Sequence, residues 1–238
     1  MKSIVKLLGM GACLLAIPAF SAISFVASPG ALGPNDSVNW VQLGGDLTAI
    51  PNSFGATSAN SLAIAGAFGT STGETSDVCP AAPSCSWSTP PGFGFNAGDT
   101  LIWANNLTAG SGPLTLSFPA VFGAGLYLES NQIGLFTGSI QAFAGAVSLG
   151  TFTATSDAAG DPIFLGVLDT TLEVTKVVFS MTNCGNGNCT DLKDFAVDSL
   201  LLKENVSTPE PSSLILLAGG LIGLGWKLRR QSQKVGRN

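Results

Sequence analysis

Residues 147–181 read VSLGTFTATSDAAGDPIFLGVLDTTLEVTKVVFSM, and their patterning decides the fold class. β-Branched and aromatic residues concentrate in Val147–Thr155, Phe164–Val167 and Leu172–Met181, the composition of strands. Between the first two lies Ser156-Asp157-Ala158-Ala159-Gly160-Asp161-Pro162, where Gly, Pro and Asp interrupt any regular element. The same rhythm extends in both directions. Strands are expected near Val38–Leu43, Leu62–Phe68, Thr100–Trp103, Leu114–Phe118, Gly123–Leu128, Ser139–Ala144 and Phe195–Leu202. Turn signals recur at Gly44-Gly45-Asp46, Ala97-Gly98-Asp99 and Gly185-Asn186-Gly187-Asn188. No amphipathic helical period of any length appears in the body of the chain. Short strands separated by turns, without helices, predict an all-β fold: an antiparallel β-sandwich, jelly-roll-like.

One stretch breaks the rhythm. Residues 70–91, TSTGETSDVCPAAPSCSWSTPP, are rich in Ser, Thr and Pro and carry Cys79 and Cys85. Residues 22–69 alone would hold about three strands, too few for an independent core, so 70–91 reads as a long surface loop within one domain. A second cysteine pair, Cys184 and Cys189, flanks the Gly/Asn turn. Four cysteines allow three disulfide connectivities. Closeness in sequence favours Cys79–Cys85 and Cys184–Cys189, each stabilising by about 2 kcal/mol through a small closed loop. The alternative is a zinc site built from CPAAPSC and CGNGNC; the chain has no histidine to complete it, and the spacings are long for zinc-binding pairs.

The distribution of charge removes several functions. Seven of the ten Lys and Arg residues lie in the two chain ends, leaving Lys176, Lys193 and Lys203 against fourteen acids, a body of net charge about −11. Phosphate recognition needs a basic stripe, so nucleic acid is excluded as a partner. The absence of histidine excludes Ser-His-Asp, Cys-His and histidine–metal chemistry. Carboxylate pairs such as Asp46 with Asp99, or Glu129 with Glu173, are arithmetically available for glycoside hydrolysis. None sits in a motif, and an enzyme is not expected. Phe195 and Val197 alternate with Asp194, Ala196 and Asp198, which places those three on the opposite strand face. Asp191, Asp194 and Asp198 could then gather around a calcium ion, or be solvated acids on an outer face. Trp87, alone in a polar loop, reads as an exposed aromatic for ligand contact.

The chain ends carry the most specific signals. Lys2 and Lys6, the apolar run Leu7–Ile17 and the small residues Ala19 and Ser21 compose a secretory signal peptide over residues 1–21. The other end reads Pro209-Glu210-Pro211, then an apolar, Gly-rich segment (212–228), then Arg229, Arg230, Lys234 and Arg237. Its most apolar part, Leu214–Trp226, would rise about 20 Å as a helix, against a hydrocarbon core of about 30 Å. Such a helix is a weak transmembrane anchor whose basic end stays cytoplasmic. This tripartite tail resembles the PEP-CTERM sorting signal of Gram-negative bacteria. The segments FTATSDAAGDPIFLGVLDTTLEVTKVVFS and DFAVDSLLL also resemble the C-terminal half of many exported sandwich domains that carry that signal.

The resemblance implies an organisation of signal peptide (1–21), exported sandwich (22–207) and sorting signal (208–238). It also implies that Pro209, Glu210 and Pro211 are read by an exosortase while the tail sits in the inner membrane. The protein would then reach the cell envelope, surface or medium as a structural or adhesive matrix component beside exopolysaccharide, without a cofactor. A calcium-assisted carbohydrate-binding module is the alternative, and a carboxylate-pair glycoside hydrolase a third.

Overall fold

A computed structural model describes residues 23–78, 87, 94–105, 109–184 and 191–205. The signal peptide, the sorting tail and Cys79, Cys85 and Cys189 lie outside the described residues. Among the described residues the first strands are β1 (Ser24–Val26), β2 (Asp36–Val38), β3 (Ala49–Ile50), β4 (Ser53–Thr57) and β5 (Ala63–Phe68). Then follow β6 (Gly73–Asp77), β7 (Thr100–Trp103), β8 (Leu114–Val121), β9 (Gly123–Ser130) and β10 (Phe136–Ala144). The last five are β11 (Val147–Thr155), β12 (Ile163–Leu168), β13 (Val174–Cys184), β14 (Phe195–Val197) and β15 (Leu200–Lys203). A four-residue helix, α1 (Pro29–Leu32), and a 3-10 turn at Trp40–Leu43 complete the set. This unit closes at Glu204.

The strands form two antiparallel sheets. One runs β11-β10-β13-β8-β5-β4, the other β1-β12-β9-β14-β7-β6-β3, with β15 pairing both β9 and β2. The sequence stretch 147–181 supplies strands to each. β11 pairs back on β10 through a tight turn at Gly145, whose φ of +58° suits a residue without Cβ. The segment 156–162 then carries the chain from one sheet to the other. Asp157 holds this crossing, its Oδ1 accepting from the backbone N–H of Gly160 (2.9 Å) and Asp161 (3.0 Å). β13 returns to the first sheet with Val177, Phe179 and Met181 facing inward, the two-residue period of a strand with one buried face.

Between the sheets lies one continuous apolar core. Trp40, Phe136, Phe179, Phe195 and Leu126 are its large, fully buried members. Truncating an aromatic at such a place costs about 3–5 kcal/mol.

The observed elements depart from the sequence reading in two places that matter for the site. The strand expected at Val38–Leu43 stops at Val38. Asn39 then caps a 3-10 turn by accepting from Val41 N–H (2.9 Å), which swings Trp40 into the core, where its indole N–H donates to the Asp198 carbonyl (2.8 Å). The loop expected over 70–91 begins later than its composition suggests. Gly73–Asp77 is strand β6, held between β7 and β3. Ser, Thr and Gly read as loop, but Thr75 is fully buried and its hydroxyl donates to the Gly45 carbonyl, a bond available only once the sheet has formed.

Candidate functional site

The outer face of the second sheet carries the unusual chemistry. Register places Glu74 of β6, Trp103 of β7, Ala196 of β14 and Glu129 of β9 in one row across that face. A face of this composition would ordinarily meet water. Here it is covered by a second apolar cluster of Val78, Trp87, Phe95, Leu101 and Ala196, with Trp103 and Tyr127 packed against it. Trp87 is therefore not an exposed contact: it retains 6% of its surface and meets both Phe95 and Trp103 edge-to-face, with centroids 6.1 and 6.2 Å apart. An isolated bridge between Val78 and Trp87 seats it there. Trp87 thus serves as a plug over the outer face.

The three aspartates expected to share a calcium ion are spent separately. Asp194 is buried, accepting from Trp103 Nε1 at one oxygen and from Asn131 Nδ2 at the other, each at 2.8 Å. Asp191 accepts from the backbone N–H groups of Gly110 (2.6 Å) and Lys193 (2.8 Å). Asp198 sits where the chain leaves β14 for β15. The register against β9 slips by one residue there, and Asp198 Oδ1 accepts from Ser199 N–H (2.6 Å). Among the described residues no group of three or more Asp, Glu, Cys or His side chains is placed to hold a metal ion. The reading of solvated outer-face acids is corrected as well, since Asp194 and Asp198 are both buried.

Beside Trp87 opens a polar cleft of about 320 Å³, lined by Glu129, Asn131, Gln132, Ile133 and the Ala159-Gly160 crossing. Glu129 was legible in the sequence only as one half of an arithmetical pair. Its proposed partner, Glu173, is solvent-exposed, and the acid that acts on Glu129 is Asp161. Burial first, and the Asp161 charge second, push the Glu129 carboxyl up to about 8. Its Oε2 is buried and has no hydrogen-bond partner among the described residues. The other pair, Asp46 and Asp99, is committed to local turns: Asp46 accepts from Asp77 N–H and Asp99 from the Asn96 backbone and side chain.

Glu74 and Asp161 are raised chiefly by burial, and two further carboxyls rise strongly. Asp198 is pushed to about 6, chiefly by burial and further by Asp99. Glu204 rises to about 7 through its hydrogen bond with Asp36. A carboxyl whose folded pKa exceeds its unfolded value binds more protons in the folded state, so stability is full in acid and falls as pH rises through the folded pKa. We therefore expect stability to decline from about pH 4 to pH 8, by on the order of 5 kcal/mol from the two buried groups, Glu129 and Asp198. Thermal melts across that range check this. A melting temperature that rises with pH would contradict the burial of both groups.

Cys184, at the end of β13, is buried and disulfide-bonded. No helix among the described residues is long and apolar enough to cross a membrane; the apolar segment 212–228 and the triplet Pro209-Glu210-Pro211 lie outside them. The chain combines an antiparallel sandwich with, a few residues further on in sequence, a segment of sorting-signal composition. Residues 207–230 match the family model of the PEP-CTERM protein-sorting motif. That motif marks an exported protein targeted by exosortase and sorted to the cell envelope or surface of a Gram-negative bacterium. No curated protein matches the chain.

Proposed function

We propose that the protein is a structural or adhesive component of the cell surface or extracellular matrix, delivered by exosortase and resident beside exopolysaccharide. The observation that carries this reading is the motif at 207–230, which begins three residues after the folded unit ends at Glu204. Two prolines in Pro209-Glu210-Pro211 remove backbone donors and favour an extended segment, suited to an enzyme cleft. The apolar segment 212–228 engages the inner membrane before processing, with its basic end cytoplasmic. No catalytic role is assigned. No resident cofactor is assigned either.

Cell fractionation tests the reading. In a host with exosortase the protein should leave the inner membrane, and in the same host lacking the enzyme it should remain there. Equal distribution in both hosts would remove the proposal.

Export also brings the cysteines into an oxidising compartment. We expect non-reducing peptide mapping to find Cys184 joined to Cys189 and Cys79 to Cys85, each bond stabilising by about 2 kcal/mol. Mapping that joins either pair's members across the two loops would overturn this pairing.

A further inference from the structure

We propose that the cleft beside Trp87 is a binding site for a neutral monosaccharide unit. This goes beyond the sorting reading and stands on the geometry of the sandwich. The cavity of about 320 Å³ lies at the small end of ligand pockets, with room for one sugar ring. Its wall combines the narrow edge that the buried Trp87 leaves uncovered with the side chain of Ile133, which is 97% exposed at the rim. Ile133, with that edge of Trp87, offers apolar surface to the C–H face of a sugar. Opposite chemistry comes from Glu129, Asn131 and Gln132. A protonated Glu129 presents both a donor and an acceptor, and its buried Oε2 finds no partner among the described residues. Oε2 lies behind the wall, and a ligand hydroxyl meets the part of the Glu129 carboxyl that lines the cleft.

Charge narrows the class. None of the three lysines of the body lines the cleft, so an anionic ligand would enter an acidic domain with no countercharge. A cation finds no cluster of ligating groups among the described residues. The ligand that fits is uncharged, rich in hydroxyls and small. Asn131 is prepositioned for it, because its Nδ2 is already fixed by Asp194.

Tryptophan fluorescence of the full-length chain, held in a detergent without a sugar headgroup, tests the site. The probes are glucose, galactose, mannose and N-acetylglucosamine, with glucuronate as the charged control. A saturable change is expected with at least one neutral sugar and none with glucuronate. Ala159→Trp, on the exposed crossing loop at the mouth, should weaken binding at least roughly tenfold, with the melting temperature unchanged. Glu129→Gln keeps a donor and an acceptor and should bind within about threefold of wild type, whereas Glu129→Ala should lose roughly tenfold. Silence toward all four neutral sugars, preference for glucuronate, or wild-type binding by Ala159→Trp would overturn the proposal. Tail processing of the same variants, read by mass, should be unaffected in every case. A failed sugar site and a failed sorting signal are thereby told apart.

Discussion

Replacing Pro209-Glu210-Pro211 by three alanines should leave the protein in the inner membrane at its unprocessed length, with its body facing the periplasm. The effect is all-or-none because the triplet stands between the exported domain and the apolar segment that holds the chain back. Alanine restores two backbone N–H groups and favours helix, so the segment loses the extended form that the prolines impose. Cleavage of the N-terminal signal near Ser21 should proceed as before, since that step depends on residues 1–21 alone. The folded domain, which closes at Glu204, should melt as the wild type does. Membrane fractions probed for length and protease accessibility report both ends at once. A triple variant that is shortened and released like the wild type would show that the triplet is not the recognised element.

Asp194→Ala should lower stability by about 4 kcal/mol, enough to reduce the melting temperature by on the order of 10 °C. One carboxylate joins three parts of the outer face. It fixes the indole N–H of Trp103 on β7 and the amide of Asn131 after β9, and it stands next to Phe195 in the main core. Alanine strands both donors in a site shielded by the second apolar cluster, at about 1–3 kcal/mol each, and deletes a charged acceptor. Asp194→Asn is the informative companion. It keeps one acceptor for Trp103 but turns an N–H₂ toward the Asn131 N–H₂, so it should cost roughly half as much. Equal, small losses for both variants, measured by denaturant unfolding, would mean that the carboxylate is not the tie the geometry makes it.

The sandwich was legible because its core strands obey a local rule. Val177, Phe179 and Met181 alternate inward, and the turn at 156–162 announces itself through Asp157, Gly160 and Pro162. The outer layer was not legible, for a physical reason. Trp87 sits among Ser, Thr and Pro, and its burial depends on a platform of Phe95 and Leu101, from the following segment, and Ala196, from the distant β14. No pattern within residues 70–91 encodes that partnership.

The aspartates misled in the same way. Asp191, Asp194 and Asp198 are near one another in sequence, but each is consumed by donors that only folding brings near: Gly110, Trp103 with Asn131, and Ser199 at a register slip. Strand β6 escaped notice because Gly-Glu-Thr-Ser-Asp has turn composition, and its place between β3 and β7 is a property of the sheet. Glu129 occupies the strand face opposite Leu126 and Leu128, which local pattern assigns to solvent. Only the covering cluster makes it a buried carboxyl. The tail is the reverse case. Its signal is local by nature, composed of a triplet, an apolar run and basic residues in fixed order, so the sequence alone identifies it and the family match falls on the same residues.

Intact-mass measurement of wild-type protein recovered from the cell surface or medium tests the central claim most directly. The account predicts a chain that begins near Ala22 and lacks the segment from about Pro209 onward. Recovered protein that still carries Leu214–Asn238 would contradict it, and the tail would be a plain membrane anchor.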